Sequence, residues 1–424
     1  MSMSPSLPRA KASSSSTVFG NEKGKEKDLV NPDNTNLIKA DGWNSQEDSS
    51  YFPQVVNIVV DTPKSLPSES FNAKLKPLLK ASAKTFFRNL LNVPELSGAP
   101  KSENKTYVLG DTDGSIARVL LIAIRSKHIK MDDAVLKDFA DLLNEEAAVI
   151  ETKLQYLPQF QANKVLAQKI ENIMGHLEYT QSTSKLVSIG DNIHDRFSCH
   201  KEAMLELIEK LHGVGVIFIK GNHDTHAIVE YTEKLKSSSI GDTTQWGCNA
   251  VNKGFLEKSK WDDFERKFFV NCYFDEANNI FYIHNGLHVG IQDDKTMRIA
   301  YSGSIGKPND FDAFKSHKNL GYFTAFSKNP ISANQVSSLS ELATIINAQE
   351  EEIYPFETEY FLPLRLTEFR PTHADLGDLF KGVTVIHGHS GEFNSFRDKF
   401  GIVGINSRNR IVAEVGMVAA AIVF

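Results

Sequence analysis

Three observations predict an α/β fold. Short apolar, partly β-branched runs in Thr106–Gly114 (TYVLGDTDG), Lys185–Arg196 (KLVSIGDNIHDR) and Val216–Asp224 (VIFIKGNHD) each close on glycine and then Asp or Asn. The segment after the first run, Ser115–His128, sets Ile116, Val119, Leu120 and Ala123 on one helical face, giving a strand followed by a helix. Later β-runs at Val383–Ile386, Gly401–Ile405 and Ile411–Phe424 would complete a second sheet. In open α/β sheets ligands bind at the carboxyl edge of the strands. Asp191, Asp195 and Arg196 follow a buried strand, and charges placed there need partners: a metal ion for the acids and an anion for the arginine.

Taken in order, residues 1–50 combine a serine run, a charged patch (GNEKGKEK) and much Asn, Asp and Gly. That composition buries too little apolar surface to offset ordering entropy, so a disordered tail is expected. Gln54–Val60 reads as the first strand. Phe71–Val93 has helical spacing, with Pro77 near its start or at a kink. Asp132–Leu154 and Gln161–Glu178 read as two helices parted at Leu157-Pro158, an αα-hairpin inserted over residues 131–180. It is either a stabilising flap or an exposed arm that docks a protein partner. His200–Leu211 is the next helix. Phe268–Asp275 and Asn279–His284 form a hairpin around residues 276–278. Asp294–Pro330 reads as loops, and Leu339–Ile346 as a helix.

The bulk numbers narrow the classes. A chain of 424 residues with 41% hydrophobic content can bury a sizeable core. A net charge of −6 gives no basic field for nucleic acid. Cys199, Cys248 and Cys272 form no CxxC pair, which suggests a reducing compartment without a disulfide framework. A cysteine-based tyrosine phosphatase is excluded: the sixth positions after them are Leu205, Gly254 and Asn278, none of them the required arginine. No secretory signal peptide and no membrane span are read, so a soluble, cytosolic protein is expected.

The motifs Gly110-Asp111-Thr112-Asp113-Gly114, Gly190-Asp191-Asn192-Ile193-His194-Asp195-Arg196, Gly221-Asn222-His223-Asp224, His284-Asn285-Gly286 and Gly388-His389 occur in this order. Together they resemble the calcineurin-like metallophosphoesterases, in particular the phosphoprotein phosphatase superfamily. The resemblance implies a central β-sandwich flanked by helices over residues 51–424, and two divalent ions that activate water for direct attack on a phosphoester. It implies that Asp191 bridges the ions, Asp111 and Asp113 complete one site, and Asn222, His284 and His389 complete the other. Arg196 would bind the phosphate oxygens. His223 would protonate the leaving oxygen, with Asp195 fixing its tautomer. Arg298, Arg365 and Arg370 are candidates for a second phosphate-binding arginine. His387, His226 and His288 match no family position and read as structural or loop residues.

One position departs from the family pattern GD-x-H-G: Asp113 stands where the histidine should be. An all-carboxylate first site favours manganese or magnesium over zinc, so manganese is expected, with magnesium, iron and zinc as alternatives. The rival reading is a crippled site that only binds. GDTDG, the helical insertion and the serine-rich tail together resemble the Wip effector phosphatases that bacterial pathogens deliver into host cells. That implies a phosphoprotein substrate of the host, phosphotyrosine preferred over phosphoserine or phosphothreonine, and delivery without a Sec-type signal peptide. The alternatives are a nucleotide or dinucleoside-polyphosphate hydrolase, with Tyr301, Phe311, Phe314, Tyr322 and Phe323 available to stack a base, and a metal-binding scaffold.

Overall fold

A computed structural model describes residues 55–56, 69–93, 95, 104–152, 156–193, 196–230, 232, 254–284, 287–293, 296–299, 320–323, 331–349, 378–380, 382–388, 402–407, 410–415 and 420–423. All lie in the compact unit Asp48–Phe424. The expected N-terminal tail lies outside them. Strands and helices are numbered in chain order.

Mixed α/β architecture is built on two large sheets. One contains, in spatial order, β17 (Ala420–Val423), β2 (Thr106–Leu109), β5 (Lys185–Ser188), β6 (Ile217–Ile219) and β7 (Phe269–Val270). Strands β2, β5, β6 and β7 run parallel, and β17 is antiparallel to β2. The second contains β1 (Val55–Val56), β15 (Ile402–Ser407), β16 (Arg410–Val415), β14 (Thr384–His387), β9 (Ile280–Ile283) and β8 (Cys272–Asp275). Here β14 is parallel to both β16 and β9.

Alternation along the strands decides which face each side chain serves. Tyr107 and Leu109 enter the helical core, while Val108 faces the other way. Val108, Val187, Ile189, Ile219, Ala421 and Val423 share one buried cluster with Ile280, Tyr282 and Ile386, so the two sheets meet face to face. Phe281 and Ile283 pack outward against the helix Leu339–Ala348. Strands buried on both faces read as near-continuous apolar runs, which is why they were visible in the sequence.

Helices α1 (Glu69–Leu75), α2 (Ala81–Phe86), α3 (Arg88–Leu91), α4 (Ile116–Arg125), α5 (Leu136–Glu151), α6 (Leu157–Gln161), α7 (Lys164–Met174) and α8 (Lys201–Gly213) contribute to the core on the first sheet's outer face. Pro77 breaks the expected single helix over Phe71–Val93 into α1, a 3-10 turn, α2 and α3. Helix α4 starts where it does because Ser115 Oγ accepts the Arg118 N–H at 3.2 Å.

Five expectations need correction. The inserted helices are not an exposed arm: Phe139, Leu143 and Ala147 of α5 are fully buried in the main core. Pro158 does not merely part them but opens the short helix α6, where a proline at the first turn forfeits no internal hydrogen bond. The second inserted helix ends before Leu177, because β4 (Leu177–Tyr179) pairs antiparallel with β3 (Ile129–Met131) and closes the base of the insertion. Asp294–Pro330 is not all loop: β10 (His288–Asp293), β11 (Thr296–Ile299), β12 (Leu320–Phe323) and β13 (Ile331–Ser332) form a four-stranded sheet. Finally, Ile411–Phe424 is divided between the sheets, with β16 in the second and β17 in the first. Among the described residues no helix is long and apolar enough to cross a membrane.

Candidate metal centre

The carboxyl ends of parallel strands from both sheets converge. Asp111 follows β2, Asp191 follows β5 and His284 follows β9. Each offers a ligand atom, those atoms lie within 4.8 Å of one another, and all three residues are buried. His284 Nε2 is 3.3 Å from Asp191 Oδ1, and its Nδ1 is 3.6 Å from Asp111 Oδ1. Nδ1 also sits 2.7 Å from the Ile189 carbonyl oxygen. A carbonyl only accepts, so Nδ1 carries the proton and Nε2 presents a lone pair. Burial lowers the His284 pKa despite the opposing pull of Asp191 and of the bond to Ile189, which keeps the ring neutral. A neutral imidazole nitrogen facing a carboxylate oxygen, with a second carboxylate beside them, is a donor set that fits a divalent cation.

Three glycines leave the space these ligands occupy. A Cβ on Gly190 would lie 1.9 Å from His284 Nδ1, and one on Gly221 would lie 2.2 Å from Asp191 Oδ1. One on Gly388 would lie 2.3 Å from Asp111 Oδ1. Gly190 also has φ +129°, which side-chain-bearing residues rarely adopt. The glycines that made the motifs recognisable are therefore the packing partners of the candidate ligands.

Asp224 ties the loops together. Its carboxylate accepts the N–H groups of Asn192 (2.6 Å), Ile193 (2.7 Å) and Gly221 (2.7 Å), and the side-chain amide of Asn192 at 3.3 Å. Burial, helped by the nearby Asp191 carboxylate, pushes its pKa up to about 7 against the backbone donors that favour the ionised form. The sequence placed Asp224 in a motif but gave it no task. The His223 N–H donates to Asp191 Oδ1 at 2.9 Å, and Thr112 Oγ1 donates to the Asp191 carbonyl at 2.9 Å. Both fix Asp191, whose φ is +50°.

Asp113 lies beside this group but meets two guanidinium groups. Arg196 Nη1 donates to its Oδ1 at 2.8 Å, and Arg118 Nη1 to its Oδ2 at 3.3 Å. Arg118 Nε in turn donates to Glu146 of α5, and Ser115 Oγ donates to the other Glu146 oxygen at 2.6 Å. Arg118 and Glu146 are buried, and neither was singled out from the sequence; a charged pair on the apolar faces of two helices was the available signal.

His223 is half-buried, with its ring centroid 4.6 Å from that of His226. His226 is buried in the 3-10 turn Asn222–Ala227, so it is not a loop bystander. His387 is buried, and its Nδ1 donates to the Gly388 carbonyl at 2.9 Å. Asn222 opens the turn, while its side chain lies outside the described residues, as do Asp195, His389, Cys248 and the side chains of Arg298, Arg365, Arg370 and His288. Cys199 and Cys272 are free thiols.

No family model matches the chain, and no curated protein does. Among solved structures, the phosphatase domain from the Legionella effector WipB is similar at 15% identity, covering 44% of this chain and 68% of that one, with a TM-score of 0.27.

Proposed function

We propose that this chain is a metal-dependent phosphoprotein phosphatase that hydrolyses phosphomonoesters, with phosphotyrosine as the leading substrate and manganese as the leading metal. The observation that carries the reading is the buried Asp111–Asp191–His284 group, gathered from two sheets with the His284 tautomer fixed for ligation. Asn222 and His389 extend the proposed ligand set for a pair of ions. When bound, such ions supply electrostatic stabilisation at phosphorus and acidify water near neutral pH.

The chain's own residues do the rest. Asp191 and Asp111 bring the negative charge that holds the cations. Arg196 grips the phosphate oxygens, for which its planar guanidinium is suited. His223 delivers a proton to the leaving oxygen, and Asp195 orients its ring. A host phosphoprotein is the substrate class suggested by the Wip resemblance. A protein partner docking on residues 131–180 would meet the exposed Tyr156 and Val165.

The dinucleotide reading has less support. Of its proposed base-stacking residues, Tyr322 is buried, with its ring 5.9 Å from that of Phe380. The test is a panel with the purified full-length chain in manganese: phosphotyrosine peptide, phosphoserine peptide, diadenosine tetraphosphate and a chromogenic ester. Turnover led by the phosphopeptides is expected. Dinucleotide cleavage far above the peptides would favour the hydrolase reading, and no turnover in any metal would leave a metal-binding scaffold.

A further inference from the structure

We infer that the inserted helices position the arginine of the site: Glu146 of α5 is a positioning residue for Arg196, acting through Arg118 and Asp113, and Asp113 is committed to these arginines rather than to a cation. The inference rests on the proposed role of Arg196 as the phosphate-binding group.

Charges alternate along one chain of contacts. Glu146 accepts from Arg118, Arg118 donates to Asp113, and Asp113 accepts from Arg196 at 2.8 Å. Exposure of the side chains is 2% for Glu146, 0% for Arg118, 1% for Asp113 and 13% for Arg196. Buried charges are tolerated only in such compensated sets, and removing one leaves its neighbour uncompensated. Arg118 is held further by the Phe197 ring, 4.4 Å from its guanidinium carbon. The order of the chain places the more exposed cation at one end and the anion on the insertion at the other, while Arg118 between them also reaches the Asp111 carbonyl at 3.4 Å.

A second route leads from the insertion to the same segment. Gln161 of α6 donates to the Arg196 carbonyl at 3.0 Å. The Phe160 ring meets Phe197 edge-on at 5.9 Å, and the Phe197 N–H donates to the Asp113 carbonyl at 2.9 Å. Helices α5 and α6 thus fix both the side chain and the backbone of Arg196. An arginine held in place before its anion arrives loses less entropy on binding it.

The chemistry of position 113 supports this division. A carboxylate accepts from two guanidinium groups at once, one on each oxygen. A neutral imidazole has a single acceptor nitrogen, and a protonated one has none. The aspartate that replaces the family's histidine therefore permits a contact that the histidine would not, at a backbone φ of +51°.

Calorimetry separates the outcomes, with inorganic phosphate titrated into the manganese-loaded full chain and manganese titrated into the metal-free chain. E146Q and D113N should weaken phosphate binding by about ten-fold, with manganese affinity unchanged within about two-fold, while D111N should lose manganese. A purely structural role would lower the melting temperature without moving the phosphate affinity of the folded fraction. E178Q, which breaks the exposed pair with Lys130 on the same insertion, should leave both affinities unchanged. If E146Q does not fold, Q161A carries the test, with phosphate affinity falling about three-fold. Unchanged phosphate affinity in the folded variants, or manganese lost in D113N as in D111N, overturns the inference. If the parent chain binds manganese but no phosphate, the phosphatase reading falls as well; if the parent binds phosphate and the variants match it, only this inference falls.

Discussion

His284 Nδ1 lies 2.7 Å from the carbonyl oxygen of Ile189, so a residue at the end of β9 in one sheet is bonded to the chain leaving β5 in the other. The bond orients the imidazole towards Asp191 and makes the candidate metal group a joint between the two sheets. Cation binding should therefore stabilise the whole unit. Manganese at 100 times its Kd should add about 2.7 kcal/mol if it binds only the folded chain, read as a rise in melting temperature that chelator reverses. D191N should remove most of that rise and lower turnover by about 10³-fold, with far-ultraviolet circular dichroism unchanged. Parental turnover in D191N would refute the proposed centre.

The glycines packed on the ligands make a graded prediction. G388A sets a methyl group against Asp111 Oδ1, and should weaken manganese binding by about 10–100-fold, the range for disturbed ligand support. G190A meets the His284 ring and also forces alanine into φ +129°, so it should lose folding stability as well, by more than about 1 kcal/mol. Calorimetry and urea melts on the two variants distinguish the effects. Equal stability of G190A and the parent would contradict the geometry.

Asp224 should be a stability residue whose loss disarranges the site. D224N offers one acceptor oxygen, and sets an NH₂ group against backbone donors that now meet a carboxylate. Leaving a buried donor unsatisfied costs about 1–3 kcal/mol, and urea denaturation should show a loss in that range. D224A should lose at least as much.

Stability should also depend on pH through His128. Burial pushes its pKa down to about 4, and its Nδ1 is 2.9 Å from Ser126 Oγ. In the unfolded chain the ring titrates near the ordinary histidine value of about 6.5. The unfolded state therefore takes up the proton first as pH falls, so this contribution is intact above about 6.5 and is lost on the way down to about 4. H128N should flatten the stability–pH profile in that window. Parallel profiles for parent and variant would show that the ring carries no such linkage.

Much of the centre was legible because its parts are local. Two strand ends announce themselves as an apolar run, then glycine, then aspartate, which marks Asp111 and Asp191, while His284 follows its apolar run directly; the order of these motifs carries the family resemblance that implies all three as ligands. Long-range pairings were less visible. Nothing in Ala420–Val423 says that it lies antiparallel to β2 rather than beside β16, because an apolar run fits either sheet. The Gly-, Ser- and Asn-rich composition of Asp294–Pro330 hid β11 and β12, whose four-residue runs TMRI and LGYF are too short to stand out as alternating strands. Arg118 and Glu146 were missed for a different reason. On a helical wheel a charge at an inward position looks like an imperfection in the pattern, and only the partner on another helix shows that it is compensated.

The antiparallel seat of β17 beside β2 has a consequence for how the protein is made. A nascent chain emerges with the Asp111 strand early, yet the sheet position flanking it is filled only after all the intervening segments have left the ribosome. Such distant pairing means high contact order and slow folding. A bulky fusion or a short deletion at Ala420–Val423 should therefore disable the centre while leaving every one of its own residues untouched.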